Sequence, residues 1–194
     1  SLPVMTLTAR AASPDDAPIL ARIYNQGIED RVGTFETRLR TPDEVRAWFD
    51  GRHPVVAVEA EGQGVIAFAS TSTYRPRECY AGIADYSVYV ARHARGQGAG
   101  RVAMVALIDA AARAGYWKLV SRIFPENTAS RRLMASLSFR EVGVYHKHGK
   151  VDGVWRDAVI VERVGTWSAK GSWSLEVIAK TTKDESFRAV YSWR

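Results

Sequence analysis

Chemistry in this chain concentrates where a short apolar run gives way to a basic glycine turn. Ser87-Val88-Tyr89-Val90-Ala91 is short, β-branched and aromatic, which predicts a buried strand. It leads into Arg92-His93-Ala94-Arg95-Gly96-Gln97-Gly98-Ala99-Gly100. From Val102 to Ala114 the spacing is helical, with Arg101, Asp109 and Arg113 on one face and Met104, Leu107, Ile108 and Ala111 on the other. Gly115 ends the helix as a residue that tolerates a left-handed cap. A glycine turn between a strand and a helix N-terminus makes an anion site. Main-chain N–H groups converge there, the helix dipole adds positive potential, and glycine lets a phosphate approach the backbone. The pattern is neither GxxxxGK[ST] nor GxGxxG, and no long parallel βαβ series surrounds it. What remains is Arg95-x-x-Gly98-x-Gly100 behind a Val-Tyr-Val strand. Alone, that pattern also fits an ordinary strand-to-helix turn on a solvated basic loop.

The surrounding elements set the context. Thr6 to Arg10 alternates as a first strand. Ser13-Pro14-Asp15-Asp16 supplies an N-cap, a first-turn proline and acids for a helix through about Ile28. Glu29 to Arg40 is irregular. Thr41-Pro42-Asp43-Glu44 starts a second helix by the same capping logic, with Trp48 and Phe49 on its apolar side. Pro54 to Val58 and Val65 to Thr73 form a hairpin around Glu61-Gly62-Gln63-Gly64. Tyr74 to Tyr80 is a polar, aromatic loop before the central strand. Trp117 to Phe124 is a strand, Thr128 to Leu137 a helix, and Phe139 to His148 with Trp155 to Val164 a last hairpin around Val151-Asp152-Gly153. The order β, α, α, β, β, β, α, β, α, β, β predicts an α+β domain on a mixed sheet, not a doubly wound one.

The chain has 194 residues, 46% hydrophobic and 25% charged, as expected for one globular domain. No apolar run reaches membrane-spanning length and no signal peptide opens the chain, so no membrane contact is expected. Ser1 to Val4 ahead of Met5 reads as an expression remnant. The single cysteine, Cys79, excludes an internal disulfide and fits a cytoplasmic protein. It lacks partners at metal spacing, so no metal is expected, and packing is the simpler role for it than nucleophile. The net charge of +6 invites a nucleic-acid reading. The densest basic cluster is the glycine turn itself, however, and a highly anionic cofactor explains it more economically, so no nucleic acid is expected.

With this order of elements, Arg95-x-x-Gly98-x-Gly100 resembles the pyrophosphate signature of the GCN5-related N-acetyltransferases (GNAT), which use acetyl-CoA. Asn127 in Pro125-Glu126-Asn127-Thr128-Ala129-Ser130 and the ending Leu137-Ser138-Phe139-Arg140-Glu141-Val142-Gly143 fall where that family places them, with Ser138 replacing its usual glycine. Ile23-Tyr24-Asn25, Thr34-Phe35-Glu36-Thr37, Asp85 to Val90 and Gly153-Val154-Trp155-Arg156-Asp157 are similar to the phosphinothricin and arsinothricin N-acetyltransferases. The resemblance covers about residues 6 to 164. It implies a mixed, mostly antiparallel sheet with splayed central strands and flanking helices, an acetyltransferase domain over 5–164, and a homodimer.

For the coenzyme, the resemblance implies that Val88, Tyr89 and Val90 bond the pantetheine arm and acetyl oxygen through main chain. Arg95, Gly96, Gln97, Gly98, Ala99 and Gly100 would hold the pyrophosphate. Asn127 would contact the pantetheine, and Ser130 or Arg131 the adenosine end. Asp85 is the candidate general base, standing where this branch has a glutamate, and it suits the task if burial raises its pKa. The alternative is a turn cap. The branch's histidine in a Lys-His-Gly hairpin tip falls at Asp152, with His146 and His148 nearby. The family's thiolate-protonating tyrosine falls at Met134, which leaves water or another tyrosine for that task. A small-molecule amine bearing a phosphinate or arsonate-type oxyanion would meet Arg75 and Arg77, whose guanidinium groups suit such oxyanions. Tyr24, Phe35, Glu36 and Tyr80 would line its pocket, with Glu36 drawing the ammonium. Solvated loop arginines and core aromatics are the plain alternatives.

The expected activity is therefore acetylation of a toxic amino-acid analogue, conferring resistance. Ordinary amino acids or methionine sulfoximine-like compounds are the alternative acceptors. A silent CoA-binding or nucleic-acid-binding protein is the alternative of another class. Residues 165–194 lie outside the resemblance and alternate like a hairpin around Lys183-Asp184-Glu185.

Overall fold

The computed structural model describes residues 6–165 and 188–191. β1 (Thr6–Ala11) leads through one 3-10 turn into α1 (Ala17–Glu29). Ser13 N donates to Asp16 Oδ2 at 2.8 Å across that turn. α2 (Pro42–Arg46) opens on a reciprocal capping box, Glu44 N to Thr41 Oγ1 at 3.2 Å and Thr41 N to Glu44 Oε2 at 2.8 Å. It ends sooner than expected. Trp48 N turns back onto Val45 O at 2.9 Å, so Trp48 and Phe49 lie beyond the helix rather than on its face. Trp48 still packs on Phe68 and Tyr24.

The remaining elements are β2 (Val55–Ala60), β3 (Gly64–Thr73), β4 (Ile83–Val90), α3 (Ala99–Arg113), β5 (Lys118–Ile123), α4 (Thr128–Ser136), β6 (Arg140–Val151), β7 (Val154–Val164) and β8 (Arg188–Tyr191). They form one α+β mixed sheet in the order β6-β7-β5-β4-β3-β2-β1-β8. Only β4–β5 and β1–β8 are parallel among the described pairs. β8 docks on an edge of the sheet. The first strand of the expected tail hairpin lies outside the described residues.

Leu7, Leu20, Ile23, Ile66, Phe68, Met104 and Leu107 are fully buried at the centre. Consecutive residues of a strand point to opposite faces, which places the helices. A Cβ on Gly27 of α1 would meet the Tyr89 ring at 2.7 Å, whereas one on Gly100 of α3 would meet Val90 at 3.6 Å. α1 and α3 therefore cover opposite faces of β4. No helix among the described residues is long and apolar enough to cross a membrane.

β4 and β5 pair only from Ile83 to Asp85 against Lys118 to Val120. Beyond that point they part, and the fold opens into a V.

Candidate active site

The V is the site's first half. A cavity of about 500 Å³ occupies it, with walls from β4 (Val88, Tyr89, Val90), the glycine turn (Arg95, Gly96, Gly98, Gly100) and the start of α4 (Asn127, Ser130). Gly96 and Gly98 have φ of +78° and +87°, a region that disfavours side chains, and a Cβ at either would meet nothing within 4 Å. Their main chain faces open space at the N-terminus of α3, which suits an anionic ligand. Arg95 is partly committed: its Nε donates to Val90 O at 3.3 Å and its Nη1 to Asp30 at 2.7 Å. Arg92 also grips Asp30, and these two guanidinium groups, Arg92 first, bring Asp30 down to about 2. The turn is thus braced to the end of α1.

Strand geometry sorts the expected main-chain contacts. Ser121 Oγ donates to Tyr86 O at 3.0 Å from the β5 side, and Arg95 reaches Val90 O. Alternation then directs the main-chain groups of Val88 and Val90 into the cleft and those of Tyr89 towards β3. The contact expected of Tyr89 main chain therefore falls to its neighbours. Gln97 and Ala99 do not line the cavity: Gln97 is exposed and Ala99 is buried under the first turn of α3. Arg131 points elsewhere, forking onto Glu141 at 2.7 and 3.0 Å and donating to Pro125 O at 2.8 Å. Asn127 lines the cleft while making two hydrogen bonds of its own. Its Oδ1 accepts from Ser130 N at 3.2 Å, capping α4, and its Nδ2 donates to Val32 O at 2.9 Å.

The second half is the sheet face beneath α1. Asp85, Ser87 and Tyr89 share that face of β4, and Val120 and Arg122 continue it on β5, with Phe124 just past the strand's end. Asp85 lies where the V closes. Burial pushes its pKa up from 3.8, while Arg122, 3.4 Å away, and the more distant Arg75 pull it down; burial wins. That is the environment a general base needs. Arg75 stacks over the Tyr74 ring at 5.2 Å, and Tyr74 meets Tyr80 edge-on at 5.8 Å. Arg77 is exposed on the same loop.

The 29–40 loop roofs this face. Asn25 exchanges hydrogen bonds with the main chain of Arg40 at 2.9 and 2.8 Å, pinning the loop to α1. Phe35 meets Phe124 edge-on at 5.0 Å and His148 at 5.9 Å, so it packs between the end of β5 and β6. Glu36 is held by Arg40 through Oε2 at 2.6 Å, so the expected ammonium contact would share its carboxylate with that pair. Tyr24 stacks edge-on against Trp48 and Tyr89, with burial raising its pKa.

The hairpin-tip assignment needs correction. Asp152 is at the tip, with φ +51°, but it turns to Arg31 at 2.8 Å. The Lys147-His148-Gly149 sequence instead sits inside β6, where the register shifts between Tyr145 and Gly149 and Lys147 takes φ +49°. This bulge sets His148 against Phe35 and Tyr145. Arg122 is the other residue that sequence reasoning missed. An arginine set inside a strand whose apolar residues are Leu119, Val120 and Ile123 was its signal.

Comparison with known proteins agrees with this geometry. Residues 6–140 match the model of the acetyltransferase (GNAT) domain. A phosphinothricin N-acetyltransferase of Streptomyces coelicolor is 34% identical over 160 residues, 79% of this chain and 94% of that protein. An L-methionine sulfoximine/L-methionine sulfone acetyltransferase of Pseudomonas paraeruginosa is 32% identical, over 81% of this chain and 94% of that protein. Among solved structures, a Salmonella typhimurium protein with its cofactor acetyl-CoA superposes with TM-score 0.78 at 29% identity, covering 86% of this chain and 98% of that one. A Sinorhizobium meliloti phosphinothricin acetyltransferase in complex with acetyl-CoA gives TM-score 0.76 at 25% identity, covering 86% and 95%.

Proposed function

This chain belongs to the GNAT acetyltransferase family, and from that premise we propose that its acceptor is a toxic amino-acid analogue of the phosphinothricin or arsinothricin type, whose acetylation confers resistance. The coarser activity is acetyl-CoA-dependent N-acetylation of an amino acid. The silent CoA-binding or nucleic-acid-binding reading gives way to it. The observation that carries the proposal is Asp85 at the closed end of the V, with the guanidinium of Arg75 near enough to act on its charge.

Acetyl-CoA supplies an activated acyl group as a thioester. The glycine turn would hold its pyrophosphate on the main chain of Gly96, Gly98 and Gly100, and the V would take the pantetheine arm. Val88 N–H, which faces the gap, would polarise an acyl oxygen. Asp85, ionised, would take a proton from the acceptor ammonium directly or through water. Arg75, with Arg77 behind it on the loop, would hold the acceptor's distal oxyanion by paired donors. Holding the two reactants side by side supplies much of the acceleration.

The proposal extends to a cytoplasmic homodimer. β6 from Arg140 to His148 is exposed on both faces, and Val142, Val144, Tyr145, Val154 and Trp155 present apolar surface there.

The test is thiol release from acetyl-CoA with phosphinothricin, arsinothricin, methionine sulfone and natural amino acids. Fast turnover of the oxyanion analogues, lost in Arg75→Ala, is expected. Turnover of neutral amino acids alone would leave the acetyltransferase and sink the resistance role.

A further inference from the structure

Arg122 is a charged residue near the end of β5, and neither the glycine turn nor the Arg75 loop accounts for it. It lines the cleft beside Tyr86 and Ser87 and reaches Asp85 by one contact of 3.4 Å. Other arginines of this protein grip their carboxylates more closely. Arg10 forks onto Asp16 at 2.8 and 2.8 Å, Arg31 onto Asp152 at 2.8 and 3.1 Å, and Arg131 onto Glu141 at 2.7 and 3.0 Å. A guanidinium carries five donors, and the long contact with Asp85 does not use its paired edge. Arg122 is partly exposed, with 37% of its side chain accessible against 20% for Asp85. The pair is therefore open to a ligand.

Resting on the amino-acid acetyltransferase reading above, we propose that Asp85 and Arg122 together read the head group of a free α-amino acid, Asp85 taking the ammonium and Arg122 the α-carboxylate. An α-amino acid carries both groups on one carbon, so its charges are as closely set as the two side chains. Each charge then meets its opposite across the ligand. The pair also fixes which nitrogen is presented: the amine lies against Asp85, at the closed end of the V, where an acyl group on an extended arm would arrive. Strand rise is consistent with this. From Val90, beside the glycine turn, to Tyr86 at the vertex is roughly 13 Å at the usual rise per residue.

Charge counting supports the same assignment. Asp85, Arg75 and Arg122 form a group with two positive charges and one negative, while Glu36 is already matched by Arg40. An amino acid with an anionic side chain brings two negative charges and one positive, which offsets the positive excess of a site that Arg77 also borders. A simple amine would add a positive charge to a site already positive. An amino-acid ester or amide would leave Arg122 with only its long contact to Asp85. Arg122 thus reads the α-carboxylate that sets a free amino acid apart from a polyamine, an aryl amine or a peptide N-terminus.

The experiment compares the best amino acid of the panel above with its α-methyl ester and its decarboxylated amine. Wild type, Arg122→Gln and Arg122→Lys are used, all at saturating acetyl-CoA. Loss of a hydrogen-bonded charge contact corresponds to roughly 10- to 100-fold. Wild type is expected to prefer the free acid by about that factor in kcat/KM. Arg122→Gln is expected to bring the preference within about threefold by raising KM for the acid alone, and Arg122→Lys to restore part of it. Calorimetric binding of the acid and the ester to the CoA-loaded protein gives the same comparison without turnover. Melting temperatures check that both variants are folded. Equal use of acid and ester by wild type overturns the proposal while leaving amino-acid acetylation standing. So does a loss in Arg122→Gln that falls equally on both substrates through kcat, because Arg122 would then act only on Asp85. Acetylation of amines with no turnover or binding of any amino acid would overturn both readings.

Discussion

Replacing Asn127 by alanine removes two hydrogen bonds, one from the cap of α4 (Ser130 N, 3.2 Å) and one that holds the roof loop to the cleft (Val32 O, 2.9 Å). A lost N-cap costs about 1 kcal/mol. The neutral bond to Val32 contributes about 1 kcal/mol more. Val32 is exposed, so its carbonyl recovers water and adds no burial penalty. The sum, about 2 kcal/mol, lowers the melting temperature of a chain this size by roughly 4–8 °C. Asn127→Asp separates the two roles. The carboxylate still accepts from Ser130 N, and its charge at the helix N-terminus contributes about 0.3–1 kcal/mol. Only the donor to Val32 is gone, so stability should stay within about 1 kcal/mol of wild type. Val32 and Gly33 line the coenzyme cleft, so both variants should raise KM for acetyl-CoA while only alanine lowers the melting temperature. Thermal unfolding by circular dichroism and steady-state kinetics measure the two effects. An equal fall in melting temperature for both variants would refute the capping role. An unchanged KM in both would refute the claim that the Val32 tie shapes the cleft.

Ser138 ends α4 with φ +67°, a conformation that costs a side chain about 1 kcal/mol, so Ser138→Gly should raise the melting temperature by roughly 2–4 °C and leave turnover unchanged. A drop in melting temperature would show that the serine side chain contributes something the backbone does not reveal. Asp85 has a pKa raised above 3.8 by burial, and a base works when ionised, so kcat/KM should climb with pH through that raised value. Because the folded state holds this proton more tightly, stability from Asp85 is present below 3.8 and is lost as pH rises through the folded pKa. Asp85→Asn should abolish both the acid limb of the rate profile and that stability loss; a limb that survives in the variant belongs to another group. A Cβ at Gly149 would fall 2.7 Å from the Phe35 ring, so Gly149→Ala should cost about 1–3 kcal/mol and raise KM for the amino acid by moving the roof. Denaturant unfolding and acceptor kinetics check this, and normal values for both would mean that Phe35 shifts freely.

What could be read from the sequence depended on how local the cause was. The strand-turn-helix unit at 87–114 was legible because its parts are neighbours in sequence: glycines at positive φ, a basic turn and a helix N-terminus follow one another within a few residues. The cap at Thr41 was legible for the same reason, acting on main chain three residues on. Misreadings came where a residue's partner lies far along the chain. Arg131 looked available until β6 brought Glu141 to it, and Tyr89 lost its expected role to the pairing of β3 with β4. The bulge in β6 was hidden because Lys147 adopts a positive φ without being glycine, so nothing in its residue type announces the turn. Arg122 was hidden most deeply. In the sequence it is one cation in a strand; only the parallel pairing of β4 and β5, across 37 residues, sets it against Asp85. The coenzyme half of this site is therefore written locally, in a turn that any acceptor would share. The acceptor half is written in tertiary pairing, which is why the position that distinguishes an amino acid from a simple amine emerges only once the sheet is built.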